Sequence, residues 1–90
     1  MSQYASRYYA APHVWNLVAK TLREHYALLM QLDARGNKEI TARRRTVEDI
    51  AMLFAQRFTQ DQGFDPLVWL DRCSPDPNYY PFSELWRQDV

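Results

Sequence analysis

Cysteine, histidine and glycine are scarce in this chain of 90 residues, which holds only Cys73, His13 and His25, and Gly36 and Gly63. A lone cysteine excludes an internal disulfide framework and points to a reducing, cytoplasmic location. Two glycines so far apart leave no glycine-rich loop to cradle a phosphate. Two histidines twelve positions apart and one cysteine match no zinc spacing, so neither a metal nor another cofactor is expected. No apolar run approaches the ~20 residues of a membrane span. The opening Met-Ser-Gln-Tyr-Ala-Ser-Arg lacks a secretory apolar stretch. Proline is absent between Pro12 and Pro66, which leaves that whole stretch open to helix.

What the chain does have is apolar mass, with 47% hydrophobic and 14% aromatic residues. That content argues for a packed core in a single small domain. From His13 to about residue 34, Trp15, Val18, Leu22, Leu29 and Leu32 fall close to one helical stripe, which Leu17, Tyr26 and Leu28 widen. Gly36 can supply the left-handed stop that follows such a helix. A second helix is expected over 46–61, opened by Thr46 as cap with Glu48 and Asp49 in its first turn. An earlier start at Asn37 or Thr41 is the alternative, because Ile40 and Val47 are spaced to share a face. A third, over 66–73, has Asp65 as cap, Pro66 at the first helical position and Phe64 placed to staple onto Trp69.

Beyond Ser74 the texture changes. Pro75, Pro77 and Pro81 break any helix, so this stretch reads as an extended aromatic arm with one possible turn near Ser83–Trp86. The expected architecture is therefore all-α: a three-helix domain over 1–73 with a proline- and aromatic-rich arm over 74–90. The expected core comprises Trp15, Val18, Leu22, Leu29, Val47, Ile50, Phe54, Phe58, Leu67 and Leu70.

The zero net charge conceals an asymmetry. Residues 1–45 carry a net charge of +5 and residues 46–90 carry −5. Such halves can attract within one fold or orient two copies of the chain. Three surfaces follow as candidates. The arm residues Tyr79, Tyr80, Phe82, Leu85 and Trp86 can dock on a protein partner or fold back over the helices, and Tyr4, Tyr8 and Tyr9 can join the same surface. Arg35, Lys38, Arg43, Arg44 and Arg45 form a basic segment able to contact nucleic-acid phosphates, with a solvated basic loop as the plainer reading. The Thr-Val-Glu-Asp-Ile-Ala stretch from Thr46 resembles the opening of a helix-turn-helix repressor, but no turn and recognition helix follow it. Cys73 with a histidine is the minimum for a thiol nucleophile. At a helix C-terminus beside Asp71, the thiolate is disfavoured, so a buried structural cysteine is expected.

The run Phe64-Asp65-Pro66-Leu67-Val68-Trp69-Leu70-Asp71-Arg72-Cys73 resembles the end of many small phage and prophage proteins. Their common ending reads Asn-Pro-Arg-Phe-Asp-Arg-x-Arg-Phe-Leu-x-Ala-Cys after an amphipathic helix. The Phe-Asp pair, an aromatic-Leu pair and the Cys match in spacing. Trp69 stands for the usual Phe, and Asp61-Gln62-Gly63 for Asn-Pro-Arg. The likeness spans roughly Val47 to Cys73. It implies a phage accessory protein in the host cytoplasm and carries no activity with it. The function expected is a non-enzymatic protein that binds another protein, as a host-factor modulator or inhibitor. Nucleic-acid binding through Arg43–Arg45 and a virion or assembly component are the alternatives. A homodimer in which the arm contributes to the contact is expected.

Overall fold

The computed structural model describes residues 12–32 and 36–86. Three helices pack together: α1 Pro12–Leu32, α2 Lys38–Phe58 and α3 Pro66–Cys73. A strap follows α3 and ends in a short 3₁₀ turn, Phe82–Leu85. No strand occurs among the described residues. The fold is all-α, and no described helix is long and apolar enough to cross a membrane.

In α1, Trp15, Val18, Ala19, Leu22, Tyr26 and Leu29 recur at three- and four-residue steps and face the core. Leu32, expected on that stripe, is exposed, as are Leu17 and Leu28. Gly36, just before α2, takes the left-handed conformation expected of it (φ +68°). Asn37 then caps α2, its side-chain oxygen accepting from the backbone N–H groups of Glu39 (2.8 Å) and Ile40 (3.4 Å).

This early cap corrects the expected start at Thr46. Thr46 lies within the helix, and its hydroxyl donates back to the Ala42 carbonyl at 3.1 Å instead of capping. Arg43 also donates to Glu39 one turn before it at 2.8 Å, which supports the added turns. The C-terminal end comes at Phe58 rather than residue 61, with Gln60 and Asp61 in the turn that leads to Gly63 (φ +84°).

The face of α2 that meets the other elements is Val47, Ala51, Ala55 and Phe58. Ile50 and Phe54 belong to the neighbouring, exposed stripe, and Leu67 is likewise exposed on α3. These three were expected in the core. The two alanines are fully buried, and the larger side chains beside them are turned outward.

In α3, Asp65 caps as expected, accepting from Leu67 N (3.1 Å) and Val68 N (3.2 Å), with Pro66 in the first turn. The Phe64 staple is present, with ring centroids 5.8 Å from Trp69. Trp69, which sequence periodicity did not single out as core, is buried and meets the Phe58 ring edge-on at 5.5 Å. Phe64 also meets Trp15 at 5.1 Å and Phe58 at 5.5 Å. Two indole N–H groups lock this end. Trp69 Nε1 donates to the Trp15 carbonyl at 2.7 Å, and Trp15 Nε1 donates to the Asp61 carboxylate at 2.8 Å.

The arm folds back over its own helices. Phe82 is buried and packs edge-on against Tyr26 of α1, with centroids 5.0 Å apart. The Ser74 hydroxyl accepts from Asp76 N (3.2 Å) and donates to the Tyr80 carbonyl (2.6 Å), which turns the chain. Asp71 of α3 accepts from Ser83 N at 3.0 Å. Burial of an aromatic ring such as Phe82 contributes roughly 2–3 kcal/mol. We therefore expect Phe82→Ala to cost about 3 kcal/mol. Asp65→Ala is expected to cost about 1 kcal/mol, through loss of the cap. Chemical denaturation of the two variants should show that ranking.

Candidate functional site

The strap presents the clearest site-like feature of the molecule. Between it and α2 lies a shallow groove of about 320 Å³, lined by Tyr79, Tyr80, Pro81, Leu85, Glu48 and Glu84 with Tyr26 and Phe82 behind them. The arm residues proposed from sequence thus separate into two roles. Phe82 is an internal anchor, and Leu85 and Trp86 are partly buried against the core. Tyr79 and Tyr80 remain 74% and 41% exposed, with their rings edge-on at 5.0 Å.

Behind the groove is a polar cluster that spacing alone could not reveal. The Tyr26 hydroxyl donates to Glu48 Oε2 at 2.9 Å and accepts from Arg44 Nη2 at 3.4 Å. The Arg44 guanidinium also lies over the rings of Tyr26 (5.3 Å) and Tyr80 (5.6 Å). One arginine of α2 therefore holds α1 and the strap together. The signal available in sequence was the position of Arg44 three residues before Val47, on the helix face that turns inward.

The basic segment is dispersed by the helix it belongs to. Consecutive residues in a helix diverge by about 100°, so Arg43, Arg44 and Arg45 cannot share one face. Arg43 pairs with Glu39, Arg44 turns inward, and Arg45 is exposed with Lys38. The solvated basic loop expected over these arginines is helix instead. Arg35 lies outside the described residues, as do Tyr4, Tyr8 and Tyr9. The acids of the second half act as acceptors for neutral donors: Asp61 for Trp15, Asp65 for a helix cap, Asp71 for Ser83, and Glu48 for Tyr26.

Cys73 is buried at the α3 terminus, whereas His13 and His25 are exposed on α1. Burial pushes the thiol up from 9.0 to about 12, against the opposing charge of Arg23. Desolvation, rather than Asp71 and the helix end, is thus the main reason that the thiolate is disfavoured. Among the described residues, no group of three or more histidine, cysteine or acidic side chains is placed to hold a metal ion. Compared with known proteins, the chain matches no family model, no curated protein and no solved structure.

Two buried groups govern the alkaline limit of the fold. Tyr26 is raised above its ordinary value of 10.0, chiefly by burial, with the Arg44 hydrogen bond opposing and Glu48 reinforcing the shift. Both Cys73 and Tyr26 are held neutral in the folded chain, so each favours folding fully below its unfolded pKa and loses that contribution as pH rises through the folded value. Stability is expected to fall above about pH 9, by up to about 1.4 kcal/mol per pH unit for each such group. Denaturant titrations between pH 7 and 11 test this, and Cys73→Ala should flatten the slope above pH 9.

Proposed function

We propose that this chain is a small, non-enzymatic accessory protein of phage type that binds another protein through the strap. The observation that carries the reading is the Tyr79–Tyr80 pair, with Tyr79 largely and Tyr80 partly solvent-exposed on a segment whose neighbouring residues are pinned to the body. Tyrosine and tryptophan in fixed positions are effective anchors, because little side-chain freedom is lost when a partner covers them. The turn at Asp76, whose carbonyl accepts from Tyr79 N (3.1 Å) and Tyr80 N (2.7 Å), supports that preorganisation. Glu84, which lines the same groove as Tyr79, favours a partner that sets a basic group at the outer edge of the groove. Modulation of a host factor in the cytoplasm is the role that suits such a protein, on the resemblance of its Val47–Cys73 segment to phage proteins.

The nucleic-acid reading draws less support, since the three successive arginines diverge around α2. The virion-component reading has no separate feature in its favour. Affinity capture from a host lysate, with the native chain and with a Tyr79→Ser/Tyr80→Ser variant side by side, tests the proposal. A protein retained by the native chain and depleted at least about tenfold by the double variant is the expected outcome. Equal retention by both would overturn the strap as the binding surface. Salt-sensitive DNA retention lost on changing Lys38, Arg43 and Arg45 to Ala would move the reading to nucleic acid, and co-purification with particles would move it to assembly.

A further inference from the structure

Among the described residues, an apolar stripe of α2 that begins beside Leu85 of the strap is left uncovered. Ile50, Leu53 and Phe54 are 37%, 64% and 38% exposed there, at the one-, three- and four-residue steps that make a single stripe. They line a shallow groove with Gln56, Arg57 and Gln60. Contiguous apolar patches of this kind mark contact surfaces more often than isolated exposed leucines do.

The polar residues around the stripe have a particular order. Counting outward from Leu53, Asp49 and Arg57 lie four positions to either side, and Thr46 and Gln60 lie seven. Thr46, Asp49 and Arg57 fall within about 40° of the Leu53 direction on a 3.6-residue helix, and Gln60 follows in the turn after α2. Reversing the helix about Leu53 therefore exchanges an acid for a base and one neutral polar residue for another. A second copy of α2 laid antiparallel would set Asp49 level with the partner's Arg57 at both ends of the contact. With helix axes 8–10 Å apart, the Cβ atoms of such a pair come within roughly 6 Å, inside the reach of an arginine. The Leu53 side chains would meet at the centre, and Ile50 would lie beside the partner's Phe54. A uniformly basic partner would satisfy Asp49 and clash with Arg57, and a uniformly acidic one would do the reverse. The face fits its own copy in the isologous manner that a two-fold axis requires.

We propose that the chain forms a two-fold homodimer by antiparallel pairing of α2, centred on Leu53. The contact leaves Tyr79 and Tyr80 to their own groove, so it is independent of the partner-binding reading and is tested on purified protein alone. It differs from the arm-mediated dimer expected from sequence, of which Phe82 is buried in its own chain while Tyr79 and Tyr80 stay exposed.

Sedimentation equilibrium of the full chain over a range of concentrations reads the association directly. The native chain should approach twice the monomer mass. Asp49→Arg and Arg57→Asp should each raise the dissociation constant about tenfold or more, since each variant places like charges at both ends of the contact. The double variant should recover most of the native affinity, because the pair is restored with its sign reversed. Leu53→Arg should give a monomer. All three substituted positions are exposed on α2, and circular dichroism checks folding of each of the four variants. A native chain that stays monomeric throughout would overturn the proposal. A double variant no better than its parents, or a dimer that survives Leu53→Arg, would overturn this interface.

Discussion

The burial of Trp69 is the constraint on which the rest of this small protein depends. Its ring closes the end of the bundle against Phe58 and Phe64, and its N–H reaches back to the Trp15 carbonyl in the first turns of α1. Trp15 in turn donates to Asp61, in the turn between α2 and α3. One residue on an eight-residue helix thereby fixes where α1 begins, where α2 ends and how α3 enters. An isolated helix as short as α3 would be marginal in water, so its stability comes from this packing and from the Asp65 cap. The same short helix ends in Cys73 and Ser74, both buried, from which the strap departs.

A second aromatic centre, at Tyr26, holds the strap as Trp69 holds the helices. Phe82 supplies the apolar contact, whereas Arg44 and Glu48 satisfy the hydroxyl that burial would otherwise leave unpaired. Arg44 is the residue that joins the two tasks. Its planar guanidinium lies over two rings and donates to a phenol oxygen, a geometry that suits a guanidinium better than an ammonium. The consequence is a division of the strap into an inner row that belongs to the core and an outer pair, Tyr79 and Tyr80, that faces solvent.

The parts of this arrangement that were legible in the sequence are those decided by local chemistry. The Asp65-Pro66 start, the Phe64 staple and the left-handed conformation of Gly36 each depend on a few neighbouring residues, and all are present as expected. The start of α2 falls at Asn37, the earlier alternative, because two capping residues nine positions apart compete and local chemistry does not choose between them. The core of α2 was misplaced by about one helix position. Ile50 and Phe54 outweigh Ala51 and Ala55 in hydrophobicity, but the packed face of the helix is the one that carries the two alanines. The Tyr26–Glu48–Arg44–Tyr80 cluster draws on α1, α2 and the strap, so no spacing along the chain announces it. The division of the arm into buried Phe82 and exposed Tyr79 likewise follows from a tertiary contact.

The Tyr26–Phe82 contact has a kinetic consequence. Its partners are separated by most of the chain, whereas each helix is closed by hydrogen bonds between residues four apart. Contacts of long sequence separation bear a larger loop-closure entropy and consolidate late. The strap is therefore the natural last step in folding and, with one deeply buried ring and a handful of hydrogen bonds at its root, the natural first segment to open. Opening would uncover the rings of Tyr26 and Phe82 together, two apolar surfaces that the closed molecule keeps from solvent. A small helical protein built this way has a lower threshold for local release than for global unfolding.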